Sequence, residues 1–253
     1  MGECTEYLSE NGLQLLRSSE EGPDRLRVLM SNGIAIAPDF LSKQGVQALL
    51  AEHQALRDLA YHSNCQIPPF RSDDGNQAAP GGAFPVGRQS LRVVAADQLA
   101  GDSPLLRIAR CKKFHNLIAA FTGRPRIYPY ADQLGEANYV EMLHGDEVPW
   151  HVDTSDCASS LILQLPHEGG QLDLTPVSSA ALDALRRGDE LRSASIRQAP
   201  VGTLVVFMGA SSLHRVTRVV GARSRINAIL GHALRSSSRS SAEVRSFRYG
   251  RTN

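Results

Sequence analysis

From Arg126 onward the chain is a succession of short runs rich in Val, Ile, Leu and Tyr, each closed by turn residues: RIYPYA, ANYVEML, VPWHVD, SSLILQL, GGQLDL, GTLVVFM, LHRVTRVV and SRINAILGHAL. Runs of this kind between Gly, Pro, Asp and Ser are strands. A sheet hides its apolar face only against another layer, so roughly eight strands in succession predict a jelly roll of two facing sheets. One short helix, SSAALDALRRG, interrupts them.

The preceding segment has a different period. GLQLLRSSEEGPDRLRVLM, broken by Gly22-Pro23, and LSKQGVQALLAEHQALRDLAYH, opened by Ser42 as N-cap, repeat their apolar residues at three and four, as helices do. A further helix spans Pro104 to Phe121 and stops at Gly123 and Pro125. Between Asn64 and Arg88 the periodicity gives way to Pro, Gly, Asp and Asn, which reads as one long loop, either a lid or a linker. The expectation is an α+β chain, mainly β, forming one domain over 1–253: helical support and a lid loop in 1–125, a jelly-roll core in 126–235. The polar tail RSSSRSSAEVRS has no evident place.

At 253 residues the chain can enclose one sizeable core. Lys and Arg number 27 against 26 Asp and Glu. That balance gives no electrostatic argument for a nucleic-acid backbone or an anionic membrane as the main partner, and a small-molecule substrate fits better. No apolar run reaches the roughly 18 residues of a membrane span, and MGECTEYLSENG lacks a leader's basic and apolar regions. The chain therefore reads as cytoplasmic, a monomer or a homodimer. Cys4, Cys65, Cys111 and Cys157 are scattered and show no C-x-x-C spacing, so reduced thiols are expected.

The chemistry concentrates at Trp150-His151-Val152-Asp153. Strand side chains alternate between faces, so His151 and Asp153 point the same way and can converge on one ion. His214, at the head of LHRVTRVV, supplies a third donor. Two imidazoles and one carboxylate form the facial set that suits Fe(II) and leaves coordination positions open. A lone His-x-Asp is weak, since the chain has eight histidines. Its weight comes from the ordered features around it: the turn in NYVEMLHGDEVPWHVD, then Gly169-Gly170, GTLVVFM, His214 and a basic residue about ten positions later.

Over 138–232, through WHVD, LILQL, EGG and GTLVVFMGASSLHRVTRVVGARSR, the chain resembles the Fe(II)/2-oxoglutarate dioxygenase superfamily. The nearest likeness is to its free-amino-acid hydroxylase and halogenase-like group. The resemblance implies a double-stranded, cupin-like β-helix, with Fe(II), 2-oxoglutarate and O2 as cofactor and co-substrates. It implies iron held by His151, Asp153 and His214, and an arginine after the distal histidine paired with the far carboxylate of 2-oxoglutarate. Arg223 and Arg225 both qualify. Arg225 is favoured because it lies deeper in an apolar strand, where a guanidinium needs a carboxylate partner. Halogenating relatives carry Gly or Ala in place of the carboxylate, so Asp153 implies hydroxylation of an unactivated C–H bond, with desaturation or ring closure as alternatives. The substrate implied is a small polar metabolite, a free amino acid or a derivative made in natural-product biosynthesis, with a nucleoside or a small peptide equally compatible with these residues. A non-catalytic β-barrel binding module, or a cupin-type enzyme without 2-oxoglutarate, would keep the fold and lose this chemistry.

Asn138 and Tyr139, on the strand before the motif, are further candidates for touching 2-oxoglutarate, one of them facing inward by alternation. Arg71, Arg88 and Arg92, in or beside the loop, and Ser155 and Asp156, after the motif, are candidates for the substrate. Trp150 belongs to the opposite face and packs between layers. His144 and His167 sit in turns, and Lys112-Lys113 marks a solvated helix face.

Overall fold

A computed structural model of the chain describes residues 4–22, 26, 30, 33–70, 83–196 and 199–252. In chain order its elements are α1 (Glu10–Glu21), β1 (Ile34–Ala37), α2 (Lys43–Leu56), β2 (Tyr61–Ile67), β3 (Gly87–Val94), α3 (Pro104–Ala109), α4 (Lys112–Thr122), β4 (Tyr128–Pro129), β5 (Ala137–Met142), β6 (Val148–His151), β7 (Cys157–Gln164), β8 (Leu172–Pro176), α5 (Ser179–Arg187), β9 (Ala194–Ile196), β10 (Leu204–Phe207), β11 (Ser212–Val216), β12 (Arg225–Ala233) and α6 (Ala242–Tyr249).

The strands form two sheets. The larger runs β1-β10-β7-β12-β5-β3-β2, with β4 added against β12, and the smaller runs β6-β11-β8-β9. Apart from the hairpin pairs β2–β3 and β8–β9, strands consecutive in sequence are not neighbours in either order, so the chain crosses repeatedly between sheets, which is how a jelly roll closes.

Alternation along the central strands builds two layers of core. Cys157, Leu161 and Leu163 of β7 and Ile226, Ala228 and Leu230 of β12 join one cluster with Leu16, Leu49, Phe114, Leu117 and Ile118 of the helices. The other face of the same sheet carries Ala158, Ile162, Val205 and Phe207, which pack with Leu174 of the smaller sheet. Helices thus cover the outside of the larger sheet, and the smaller sheet covers its inside. Ser42 caps α2 as expected, its side chain accepting from Gly45 N.

Several expectations need correction. The first 125 residues are not only helix and loop, because β1, β2 and β3 all belong to the larger sheet. The expected loop shrinks at both ends, since 64–67 lie in β2 and 87–88 in β3; residues 71–82, including Arg71, lie outside the described residues. The helix expected from Pro104 to Phe121 is two, interrupted at Arg110-Cys111. Part of the polar tail forms α6. Cys4 and Cys111, expected as thiols, are joined in a disulfide with their Cα atoms 6.0 Å apart, while Cys65 and Cys157 are free. Among the described residues no helix is long and apolar enough to cross a membrane.

Candidate metal centre

His151 ends β6, and His214 lies opposite it on β11 as its cross-strand partner. The register shifts between His214 and Val216, an irregularity of the kind that re-aims side chains at sites. The two rings stand 4.1 Å apart, and Phe207 meets His214 edge-on at 4.9 Å. Asp153 follows β6 by two residues and is held from the turn after β10. Its backbone N–H donates to the Gly209 carbonyl at 3.1 Å. A Cβ on Gly209 would stand 2.6 Å from Asp153 Oδ2, so only glycine leaves the carboxylate room there.

The three side chains converge. Asp153 Oδ1 is 3.6 Å from His151 Nε2 and 3.5 Å from His214 Nε2, and the three donor atoms all lie within 4.8 Å of one another. Metal–ligand bonds of about 2.1 Å place adjacent donors about 3 Å apart, so a small inward movement seats an ion. Both imidazoles are oriented from behind by the same device: His151 Nδ1 lies 2.9 Å from the Pro149 carbonyl and His214 Nδ1 3.0 Å from that of Ser212. Each Nδ1 therefore carries the proton and donates, which leaves the Nε2 lone pair facing Asp153. Burial opposes the charge on Asp153, but His214 and His151 outweigh it and hold the carboxyl well below its ordinary range. Burial likewise opposes protonation of His214, and the Asp153 charge overcomes it and raises that imidazole. These donors fit a divalent ion of the Fe(II) kind by type, number and tautomer.

Two hollows open along the inner face of the larger sheet. One, beside Asp153, is lined by Tyr130, Asn138, Thr154, Arg248 and Tyr249 among others. The second is lined by Ser160, Gln171, Leu172, Arg225 and Asn227 among others. Arg225 Nε donates to the Gly170 carbonyl at 2.9 Å, and Nη1 lies 3.9 Å from the Met142 sulfur. No carboxylate pairs with it among the described residues, and burial alone pushes its guanidinium down to about 10. Beside it Asn227 Nδ2 donates to Ser160 Oγ at 2.6 Å, while Asn227 Oδ1 is buried without a partner. A half-buried guanidinium that no carboxylate pairs among the described residues fits an anionic ligand in this hollow, while Asn227 Oδ1 can only accept from a donor.

The other candidates fall as follows. Arg223 precedes β12, is exposed, and reaches only the Pro166 carbonyl at 3.4 Å. Asn138 faces inward, its amide donating to the Leu134 carbonyl and its oxygen accepting from Tyr249. Tyr139 does not face the metal: it is fully buried on the helical side, where its hydroxyl donates to Glu52 of α2 at 2.6 Å. Asp156 accepts from Leu234 N at 2.9 Å, a turn-fixing contact, and Ser155 lines the cleft beside Asp153. Arg88 donates to Asn64 at 2.8 Å, and Arg92 pairs with Asp146 at 3.1 Å. His144 accepts from Gly221 N. Trp150 packs with Leu185, Phe70 and Phe84 away from the donors, under the guanidinium of Arg215. Sequence reasoning missed Tyr130, although its run RIYPYA was read as a strand, and Arg248 and Tyr249, which lie on the helix that closes the polar tail.

Solved structures share this fold. A 2OG-Fe(II) oxygenase family oxidoreductase from Burkholderia pseudomallei matches 92% of this chain and 97% of its own at TM-score 0.54 and 13% identity. The fold is that of the 2-oxoglutarate and Fe(II) oxygenases. A Pseudomonas putida prolyl-4-hydroxylase matches over 86% of this chain and 98% of its own, at TM-score 0.51 and 15% identity. The non-heme alpha ketoglutarate dependent epimerase SnoN from nogalamycin biosynthesis matches over 85% and 84%, at TM-score 0.57 and 13% identity. No protein-family model and no curated protein matches the sequence.

Proposed function

We propose that this chain is an Fe(II)- and 2-oxoglutarate-dependent oxygenase that hydroxylates a C–H bond of a small polar metabolite. The observation that carries the reading is the meeting of His151, Asp153 and His214 within 4.8 Å, on a fold that 2OG-Fe(II) oxygenases share. His151 and His214 bind the metal through Nε2 and Asp153 through its carboxylate. When bound, iron supplies the activation of O2, with 2-oxoglutarate decarboxylated to succinate. Arg225 pairs with the far carboxylate of 2-oxoglutarate through a fork that matches it. Asn227 and Ser160 offer polar contacts beside that arginine, and the apolar lining of Ile162, Val205 and Phe207 keeps water from the reacting atoms. The substrate enters by the cleft beside Asp153. Hydroxylation is preferred to halogen transfer because Asp153 already occupies the position that halogenating relatives leave to Gly or Ala.

The test supplies Fe(II), ascorbate and 2-oxoglutarate and screens small metabolites by mass spectrometry. Succinate formed together with a product heavier by one oxygen supports the proposal. Loss of two hydrogens without added oxygen would redirect it to desaturation or ring closure, and absence of succinate under every condition would reject it.

A further inference from the structure

The cleft beside Asp153 contains a second arginine that the metal and 2-oxoglutarate do not use. Arg248 stands half-buried in the last turn of α6 and lines the cleft with Asn138, Asp153, Thr154 and Tyr249. Its position is fixed locally. The side chain of Ser241 caps α6 by accepting from Val244 N, Gly250 ends the helix at φ 71, and Tyr249 is buried with its hydroxyl donating to Asn138 Oδ1 at 3.0 Å. The Arg248 guanidinium carbon lies 5.9 Å from the Tyr249 ring centre, and among the described residues no carboxylate forms an ion pair with it.

A guanidinium left without an acid at the mouth of a site is a receptor for an anion. The surrounding charges select the kind. Asp153 shares the cleft, and Asp132 is close enough to act on the Tyr249 hydroxyl. One added negative charge is balanced there by Arg248; with Asp153 engaged by the metal, Asp132 still opposes the second charge of a phosphate monoester. Arg225 lines the other hollow and is assigned above to the co-substrate, so the two arginines serve different ligands.

We propose that Arg248 anchors a carboxylate of the primary substrate, which makes the substrate class small carboxylic acids and not their amides. This rests on the oxygenase reading above. The test is ligand-observed NMR titration of the whole chain with benzoate, propionate and L-alanine, each against its carboxamide. It is run on the unaltered protein and on Arg248→Met, Arg248→Lys and Arg225→Met. At least one carboxylate is expected to bind about tenfold tighter than its amide, the equivalent of one charge-assisted hydrogen bond. Arg248→Met should abolish that preference, while Arg248→Lys and Arg225→Met keep most of it. No preference on the unaltered protein, or one that survives Arg248→Met or disappears with Arg225→Met, would overturn the proposal. Fe(II) and 2-oxoglutarate affinities measured on the same samples separate the two readings: Arg248→Met should leave both unchanged. Their absence from the unaltered protein would remove the oxygenase reading without touching the carboxylate result.

Discussion

Gly209 touches no metal, yet its missing side chain leaves the space that Asp153 fills. Gly209→Ala should displace the carboxylate and weaken Fe(II) binding by about tenfold or more, as altered support of a ligand usually does. An anaerobic metal titration reads this, and unchanged affinity would mean that Asp153 is not held from that turn. The His-x-Asp was legible in the sequence because strand alternation alone aligns residues two apart. The opposition of His214 to His151 was not, since strand pairing leaves no local trace; only the resemblance pointed to it. Arg223 and Arg225 were indistinguishable by spacing, and what separates them is that the strand starts at Arg225. Alternation also failed to say which of Asn138 and Tyr139 faces inward, because every residue of β5 is buried and both faces are covered.

Among the elements, the strands after Arg126 announced themselves through Val, Ile and Leu between turn residues. β2 did not: in YHSNCQI only Ser63 and Ile67 are buried, as suits the edge of a sheet. β3 begins directly after a Gly/Pro-rich stretch, so only its first two residues fall in the expected loop and the rest carries no expectation, and the apolar period runs through the break between α3 and α4. α2 has a clear role, covering the larger sheet with Leu49, which is fully buried. Leu49→Ala should cost about 2–5 kcal/mol in equilibrium unfolding, by lost transfer energy plus a cavity. The disulfide from Cys4 to Cys111 ties the N-terminal turn to the start of α4 across 107 residues of chain. Protein denatured without reductant should therefore alkylate at Cys65 and Cys157 only; modification at all four cysteines would show that the bond is absent.

Across the whole molecule, the layer between helices and larger sheet contains histidines kept neutral by burial. His232, whose Nε2 lies 2.8 Å from Ser159 Oγ, is pushed down to about 3 by burial and then by His115; burial also lowers His53 and His115. In the unfolded chain these groups take up protons near 6.5. The unfolded state thus binds more protons below that pH, and stability is full above about 6.5 and falls progressively as pH drops toward about 3. His232 alone should contribute a slope of about 1.4 kcal/mol per pH unit inside that window. Denaturant unfolding at pH 7.5 and 5.0 measures it: His232→Asn should be less acid-sensitive than the unaltered protein, and an equal slope would contradict the assignment.

In the proposed function, the roles of the two hollows and of the arginines depend on one ion held by His151, Asp153 and His214. Anaerobic titration with Fe(II), followed by metal analysis of the desalted protein, tests this most directly. The unaltered chain should retain one iron, and Asp153→Ala and His214→Ala should each lose it while keeping their fold by circular dichroism. An unaltered chain that binds no iron, or variants that hold it as tightly, would contradict the account.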